Sequence, residues 1–290
     1  MIFFEGLMNP EGPVLLPNGD WLVVEMAPER GCVTRVSADG SERTPMAQTG
    51  RPNGLAVDSD GTIWVAESKN PPSLLKMSMD GAFEIFMMGS EDTPFLFSND
   101  LVFGPDGTLW MTDSGVLEPE WRQYRNGERE APVVDGKVWK IDLDAKTAIA
   151  IDTGIGFANG IAYGPDGYLY ANETLTGDIF KYDLSKDQPE REFFANAFPD
   201  DVDPVEGHRA GVDGMAFDDQ GRLYVTVIGY GDVAVYSLDG TLERRIPLIG
   251  KRPTNVAFGA KGEKRIYVTE QEIGQIEAYD VDADGQELRE

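Results

Sequence analysis

The 290-residue chain has very few of the residues that build several common catalytic and metal sites. It contains one cysteine, Cys32, and one histidine, His208. An intramolecular disulfide, a multi-histidine metal site and a zinc site of cysteine and histidine ligands are therefore excluded. A Ser-His-Asp triad would have to use His208, and the sequence has no G-x-S-x-G motif to supply its serine. Carboxylate and amide oxygens remain as ligands, and these prefer hard cations such as Ca²⁺, Mg²⁺ and Mn²⁺.

Positive charge is also scarce, because 25 Lys and Arg residues stand against 51 Asp and Glu, for a net charge of −26. This balance argues against nucleic acid and anionic membrane surfaces as partners. No apolar run approaches the roughly 18 residues of a membrane span, and the first residues lack the pattern of a signal peptide. We therefore expect a cytoplasmic protein that acts on a small molecule, with no nucleic-acid or membrane partner. The oligomeric state is left open.

What the sequence does contain is a six-fold repeat. Each copy has a short polar residue, an apolar strand, a tight turn with glycine and a second strand. The leading polar residues are Glu11, Asn53, Asn99, Asn159, Asp213 and Asn255. A strand-rich repeat of roughly 40–50 residues is typical of a β-propeller with one four-stranded blade per repeat.

We predict an all-β, six-bladed propeller of four antiparallel strands per blade, forming a single domain over residues 1–290. Residues 1–8 are predicted to close the ring by pairing with the last blade, since an unclosed ring would leave an exposed edge. The blades are predicted to start near residues 11, 53, 99, 159, 213 and 255.

The repeat predicts two sets of polar residues at one end of the central tunnel. The six leading residues, placed just before the innermost strands, form an oxygen-rich set that could converge on one cation. Alternatively they are turn residues, because Asn-Gly is itself a turn signal. The second set could accept backbone N–H bonds from neighbouring blades, or could orient the amides of the first set. It stands 14 or 15 residues later, at Glu25, Glu67, Asp113, Glu173, Val227 and Glu270.

The motifs EGPVLLPNG, SNDLVFGPDG, ANGIAYGPDG and VDGMAFDDQG resemble the SMP-30/gluconolactonase/LRE-like family, which is similar to diisopropylfluorophosphatases and paraoxonases. The resemblance implies a metal-dependent lactonase with a divalent metal in the tunnel, held by Glu11, Asn159 and Asp213. It implies that Asp213 is also the general acid and base, and that Asn99 contacts the substrate or a metal-bound water. Asn53, on the same rim, is a further substrate contact. Calcium is expected from the all-oxygen ligands, with Mn²⁺, Zn²⁺, Mg²⁺ and Fe²⁺ left open.

One position departs from the family pattern. Members that act on sugar lactones carry an arginine two residues before the Asn-Asp pair, where it contacts sugar hydroxyls, and this chain has Phe97 there. An apolar wall at Phe97 favours a less hydroxylated lactone as the substrate. Five further residues could extend this wall, namely Trp121, Tyr124, Phe157, Phe198 and Met215.

Two polar inserts, 116–136 and 196–210, are predicted to be loops. The first could cover the tunnel mouth as a lid or be an ordinary surface loop. His208 in the second could reach the pocket or lie at the surface.

Three alternatives to a lactonase remain. A phosphotriesterase of the diisopropylfluorophosphatase kind would share the ligands. A lyase on a propeller would lack part of the acidic ligand set. A non-catalytic scaffold would not bind metal tightly.

Overall fold

The computed structural model describes residues 1–287, which form 24 β-strands and one α-helix. The strands make six antiparallel sheets of four strands each. The innermost strands of neighbouring sheets contact one another all the way round, so the sheets close into a ring. This is the six-bladed β-propeller that the repeat predicts. None of the helices in residues 1–287 is long and apolar enough to cross a membrane.

The blades follow one another along the chain, and the first four-stranded sheet begins after the short strand β1 (Ile2–Glu5). The first blade has β2 (Pro10–Leu15), β3 (Trp21–Glu25), β4 (Cys32–Val36) and β5 (Arg43–Gln48). The second has β6 (Pro52–Val57), β7 (Ile63–Glu67), β8 (Ser73–Met77) and β9 (Phe83–Met87). The third has β10 (Ser98–Phe103), β11 (Leu109–Asp113), β12 (Gly136–Asp142) and β13 (Thr147–Ile155).

The fourth to sixth blades repeat this order, from the tunnel outwards. The fourth has β14 (Ala158–Tyr163), β15 (Tyr168–Glu173), β16 (Asp178–Asp183) and β17 (Glu192–Asn196). The fifth has β18 (Gly211–Phe217), β19 (Leu223–Ile228), β20 (Asp232–Tyr236) and β21 (Leu242–Pro247). The sixth has β22 (Pro253–Phe258), β23 (Arg265–Glu270) and β24 (Gln275–Asp280), with β1 as its outermost strand.

The start of the chain closes the ring, as predicted. Strand β1 pairs antiparallel with β24, with Phe4 opposite Ile276. The amino group of Met1 donates a hydrogen bond of 2.8 Å to the Ala278 carbonyl oxygen. Because the last blade takes its outer strand from the other end of the chain, the edge of β24 is paired rather than open.

The core lies between the blades. Strands β3, β7 and β11 are buried along their whole length. In one cluster Trp64 of the second blade packs with Leu109 and Met111 of the third. The aromatic residue early in the second strand of each repeat therefore fills the space between two blades.

Neighbouring innermost strands lie too close together for a side chain at four glycines that each follow a leading polar residue, namely Gly12, Gly54, Gly160 and Gly214. A Cβ atom on Gly160 would lie 2.3 Å from the Asp213 carbonyl oxygen, and one on Gly214 would lie 1.9 Å from Asn255 Cγ. The leading residues themselves lie inside the innermost strands, at their second or third position. The interpretation of Asn-Gly as a turn is therefore wrong here, as is the placement just before the strand.

Gly160→Ala is expected to destabilise the protein by roughly 1–3 kcal/mol, because the added methyl group forces two inner strands apart. Urea unfolding of the two proteins measures this difference. Gly104→Ala is the matched control, since the two atoms nearest to its Cβ would be side-chain atoms, Asp106 Oδ1 at 3.1 Å and Trp110 Nε1 at 3.3 Å. Equal stability of Gly160→Ala and wild type would contradict the close approach of the two innermost strands at Gly160.

The first insert is not only loop, because it contains helix α1 (Glu118–Arg125). Its first turn carries Glu118 and Glu120 and its last turn Arg122 and Arg125, a distribution that complements the helix dipole. The second insert has no helix or strand between residues 197 and 210, as predicted.

Candidate functional site

A cavity of about 290 Å³ opens at the tunnel end where the leading residues lie. Its lining includes all six of the residues that the sequence assigns to the site: Glu11, Asn53, Phe97, Asn99, Asn159 and Asp213. The sixth leading residue, Asn255, is not part of the lining. Its Nδ2 instead donates a hydrogen bond of 3.3 Å to Oδ2 of Asp100. Five of the six blades therefore contribute a leading residue to the cavity.

Three buried carboxylates crowd this end of the tunnel. Glu11, Asp100 and Asp213 are at most 8% exposed. Burial raises the pKa of Glu11 well above its usual value, and the charges of Asp100 and Asp213 raise it further. Burial and the charge of Asp100 likewise raise the pKa of Asp213, and burial raises the pKa of Asp100 to about 6. Because these carboxylates disfavour one another's ionised form, a cation between them would stabilise it.

The amides of Asn99 and Asn159 have a fixed orientation. The hydroxyl of Thr174 donates to the Val212 carbonyl oxygen at 2.8 Å and therefore accepts from Asn159 Nδ2 at 3.0 Å. In the third blade the Ser114 hydroxyl donates to the Ala158 carbonyl oxygen at 3.0 Å and accepts from Asn99 Nδ2 at 2.8 Å. With each NH₂ group held by a hydroxyl, the Asn Oδ1 atoms are left for a ligand in the cavity.

These residues fit a hard divalent cation. Both carboxylate oxygens of Glu11 and Oδ1 of Asn159 are buried without a hydrogen-bond partner among residues 1–287. An unpartnered buried oxygen is costly, and a metal ion would satisfy it. In the same part of the chain no three His, Cys, Asp or Glu side chains converge on a metal site by themselves. The amide oxygen of Asn159 is therefore needed to complete the set.

The acids of the second set accept hydrogen bonds from backbone N–H groups. Glu67 Oε1 accepts the backbone N–H of Arg51 at 2.7 Å, and Glu270 Oε1 accepts that of Arg252 at 2.9 Å. Asp113 accepts the N–H groups of Leu96 and Phe97. The N–H donors lie in the same blade, just before its innermost strand, and not in neighbouring blades as expected. Each acid thus fixes the segment that leads into a ligand-bearing strand.

The hydroxyl residues that orient the amides were missed by the sequence interpretation. Ser114 directly follows Asp113, and Thr174 directly follows Glu173. The signal was therefore a hydroxyl residue one position after the acid of the second set, in the same blade as a leading asparagine.

One wall of the cavity is aromatic. The Phe97 and Phe157 ring centroids lie 5.5 Å apart, and Trp121 of helix α1 packs on Phe157 at 4.5 Å. Phe157 has a φ of +69°, a strained conformation for a bulky side chain of the kind that clusters at functional sites. The first insert therefore covers part of the cavity through α1.

The wall also carries a guanidinium group that the sequence interpretation missed. Arg51 lies over the Phe97 ring, 4.9 Å from its centroid, and its Nη1 donates to Ser68 Oγ at 2.8 Å. Arg51 stands two residues before Asn53, the same offset that Phe97 has from Asn99. The arginine that the family pattern has at position 97 is missing, but Arg51 supplies a guanidinium group from the neighbouring blade. Aligning the repeats would have found it.

The remaining candidates lie outside the cavity lining. His208 Nε2 is 3.1 Å from Glu272 Oε1. Phe198 packs on Tyr230, and Met215 belongs to the core of the fifth blade. Tyr124 packs on Trp121, behind the cavity wall.

Comparison with known proteins agrees with this architecture. The chain is 29% identical over 295 residues to diisopropyl-fluorophosphatase of Loligo vulgaris, which covers 94% of this chain and 88% of that protein. It is 25% identical over 275 residues to gluconolactonase of Zymomonas mobilis, covering 87% and 74%. The structure of regucalcin, a calcium-binding protein from Agrobacterium tumefaciens, superposes with a TM-score of 0.77 at 21% identity, covering 98% and 94%.

The family model for the SMP-30/Gluconolactonase/LRE-like region matches residues 10–272. These residues include the first five blades, the two inner strands of the sixth, and every residue that the sequence assigns to the site. The chain belongs to the SMP-30/gluconolactonase/LRE-like family.

Proposed function

We propose that this protein is a metal-dependent hydrolase that opens lactone rings, with Ca²⁺ as its metal. One observation carries the proposal, namely that buried oxygens of Glu11 and Asn159 have no hydrogen-bond partner within residues 1–287, in the cavity that Asp213 also lines. Similarity to a gluconolactonase along most of the chain supports the reaction class.

Glu11, Asn159 and Asp213 would hold the metal. Ca²⁺ prefers carboxylate and amide oxygens and tolerates irregular geometry, which favours it over Mn²⁺, Zn²⁺, Mg²⁺ and Fe²⁺. When bound, such a cation supplies Lewis-acid stabilisation of the negative charge that develops on the lactone carbonyl oxygen.

Asp213 is the proposed general acid and base. Its carboxylate accepts a proton from the water that attacks the carbonyl carbon. The bond between that carbon and the ring oxygen then breaks, and the ring oxygen leaves with the proton from Asp213. The products are a carboxylate and an alcohol in one open-chain hydroxy acid, with the second proton released to solvent.

Asn99, Asn53 and Phe97 are the proposed substrate contacts. The Oδ1 atom of Asn99 is free for the substrate because Ser114 holds the NH₂ group. Phe97 gives the cavity an apolar surface, which supports a lactone with fewer hydroxyl groups than a sugar lactone.

Hydrolysis of a small substrate panel tests the proposal. It contains γ-valerolactone, a longer-chain γ-lactone, glucono-δ-lactone and a fluorophosphonate. Each is tested with enzyme that a chelator has stripped of metal, and again after Ca²⁺, Mn²⁺ or Zn²⁺ is added back. We expect Ca²⁺-dependent cleavage, faster for the simple lactones than for the sugar lactone. Cleavage of no substrate under any condition would refute a hydrolase.

A fluorophosphonate hydrolase is the second candidate, because the squid diisopropyl-fluorophosphatase matches 94% of the chain. Metal-dependent cleavage of the fluorophosphonate alone would favour it over the lactonase.

Thr174→Val is expected to weaken Ca²⁺ binding by about 10-fold, because the Asn159 amide loses the hydroxyl that orients it. The change keeps the shape of the side chain, and calorimetric titration of the metal-free protein measures the affinity. Thr44→Val, at an exposed position of β5, is the matched control. Equal affinity of Thr174→Val and wild type would show that the hydroxyl does not position the ligand.

A further inference from the structure

The cavity at the tunnel mouth is lined by more basic than acidic residues, although the whole chain is acidic. Three acidic residues line it, Glu11, Glu118 and Asp213. Six basic residues line it as well, namely Arg51, Lys69, Arg122, Arg125, Arg209 and Arg252. The whole chain carries 51 acidic and 25 basic residues, so a local excess of basic side chains in this cavity is not a consequence of composition.

Ion pairing separates four of the five arginines that line the cavity from the other arginines. Of the 14 arginines within residues 1–287, ten have an Asp or Glu oxygen within 4.0 Å. The four that do not are Arg51, Arg125, Arg209 and Arg252, and all four line the cavity. In so acidic a protein, arginines without a carboxylate partner are available for an anion from outside.

Three of the four form one group at the cavity mouth, and we call Arg125, Arg209 and Arg252 the rim arginines. They come from helix α1, the second insert and the segment before β22. All three line one cavity, and Arg125 and Arg209 lie over two aromatic rings whose centroids are 5.4 Å apart. Burial and the charges of the other two arginines lower the pKa of Arg125. Their mutual repulsion is unfavourable until an anion lies between them.

Aromatic rings lie beneath two of the three rim arginines. The guanidinium carbon of Arg125 lies 5.9 Å from the centre of the Trp121 ring, and that of Arg209 lies 5.5 Å from the centre of the Tyr124 ring. Trp121 and Tyr124 pack on each other. A guanidinium group over an aromatic face keeps its N–H edge available for hydrogen bonds to an oxyanion.

We infer that the rim arginines bind an anionic group on the substrate, so that the lactone carries a carboxylate, phosphate or sulfonate in addition to its ring. This inference rests on the proposed function, and it adds the substrate class. The aromatic wall at Phe97 and Phe157 contacts the body of the molecule, while the rim arginines hold its charged end. An acidic substrate is repelled by the net charge of −26, and a basic cavity mouth overcomes that repulsion locally.

Paired substrates test the inference. Neutral γ-lactones are compared with γ-lactones of equal length that end in a carboxylate, a phosphate or a sulfonate, which also distinguishes the three anions. We expect wild type to have the higher kcat/KM for at least one acidic lactone. Changing Arg125, Arg209 and Arg252 one at a time to Gln should lower the ratio of acidic to neutral kcat/KM by about 10-fold each, because each removes a charged hydrogen bond.

Arg129→Gln is the matched control, since Arg129 lies in the same insert, pairs with Glu120 and does not line the cavity. It should leave the ratio unchanged. Cleavage of neutral and acidic lactones with the same kcat/KM, and the same ratio in wild type and in all three variants, would overturn the inference while leaving the lactonase proposal intact.

A binding measurement separates the two proposals if no lactone is cleaved. Inorganic phosphate and sulfate are titrated into chelated protein at constant ionic strength, with chloride as the reference anion. Saturable binding to wild type that the triple Gln variant loses would support the anion site even without lactone hydrolysis. Equal binding to both proteins, or to neither, would contradict it.

Discussion

Asp213→Asn is expected to lower kcat for lactone hydrolysis by about 10²–10⁴-fold, the largest effect that we predict for a single substitution. The side chain keeps its size and one oxygen that can still face the metal, but an amide cannot accept the proton of the attacking water. Initial rates at saturating lactone and Ca²⁺ measure the change.

Two controls separate chemistry from binding. Asp219→Asn is a matched change at an exposed position of the same blade and should keep full activity. Calcium affinity of Asp213→Asn is titrated separately, because weaker metal binding alone would be corrected by added Ca²⁺. Near-normal kcat in Asp213→Asn would remove Asp213 from the role of base.

Glu11→Gln is expected to abolish the stabilisation of the protein by Ca²⁺. A ligand at about 100 times its Kd stabilises the folded state by about 2.7 kcal/mol, which for a protein of this size raises Tm by about 5 °C. Wild type should show this rise in a thermal melt, whereas the variant lacks one of the two carboxylate ligands and should show little of it. Glu5→Gln, at an exposed position of β1, is the matched control.

The raised carboxyl pKa values give this effect a pH dependence. Between the ordinary carboxyl pKa of about 4 and the raised folded value, the folded protein holds more protons than the unfolded chain. The metal-free protein therefore loses stability as pH rises through that window. Calcium binds the ionised carboxylates, so the Ca²⁺-induced rise in Tm should grow as pH rises from the ordinary carboxyl value through the raised pKa values of this group, which for Asp100 is about 6. A rise in Tm of equal size in Glu11→Gln would exclude Glu11 as a ligand.

The repeat made the fold predictable, because its spacing reports how often the chain returns to the tunnel. Six copies fix six blades, and symmetry then places Glu11, Asn159 and Asp213 at one end. The closing strand β1 was predictable for a related reason, since a ring leaves no other partner for the edge of β24.

Features that lie outside the six-fold repeat, or that depend on contacts between distant segments, were harder to predict. Helix α1 lies in an insert of low hydropathy, and it packs on the cavity wall through Trp121 on Phe157, a contact that no local pattern encodes. The absence of Asn255 from the cavity lining was not predictable either, because it occupies the same place in its repeat as the other leading residues. The grouping of Arg125, Arg209 and Arg252 depends on three distant segments meeting at one rim.

The most direct test of the account is a crystal structure of the protein grown with Ca²⁺, with anomalous diffraction after exchange for Mn²⁺. We predict one strong peak at the tunnel mouth, with oxygens of Glu11, Asn159 and Asp213 at about 2.3–2.6 Å from the calcium ion. A cavity without a metal ion at saturating Ca²⁺, or a metal ion held elsewhere by other residues, would contradict the proposed metal centre.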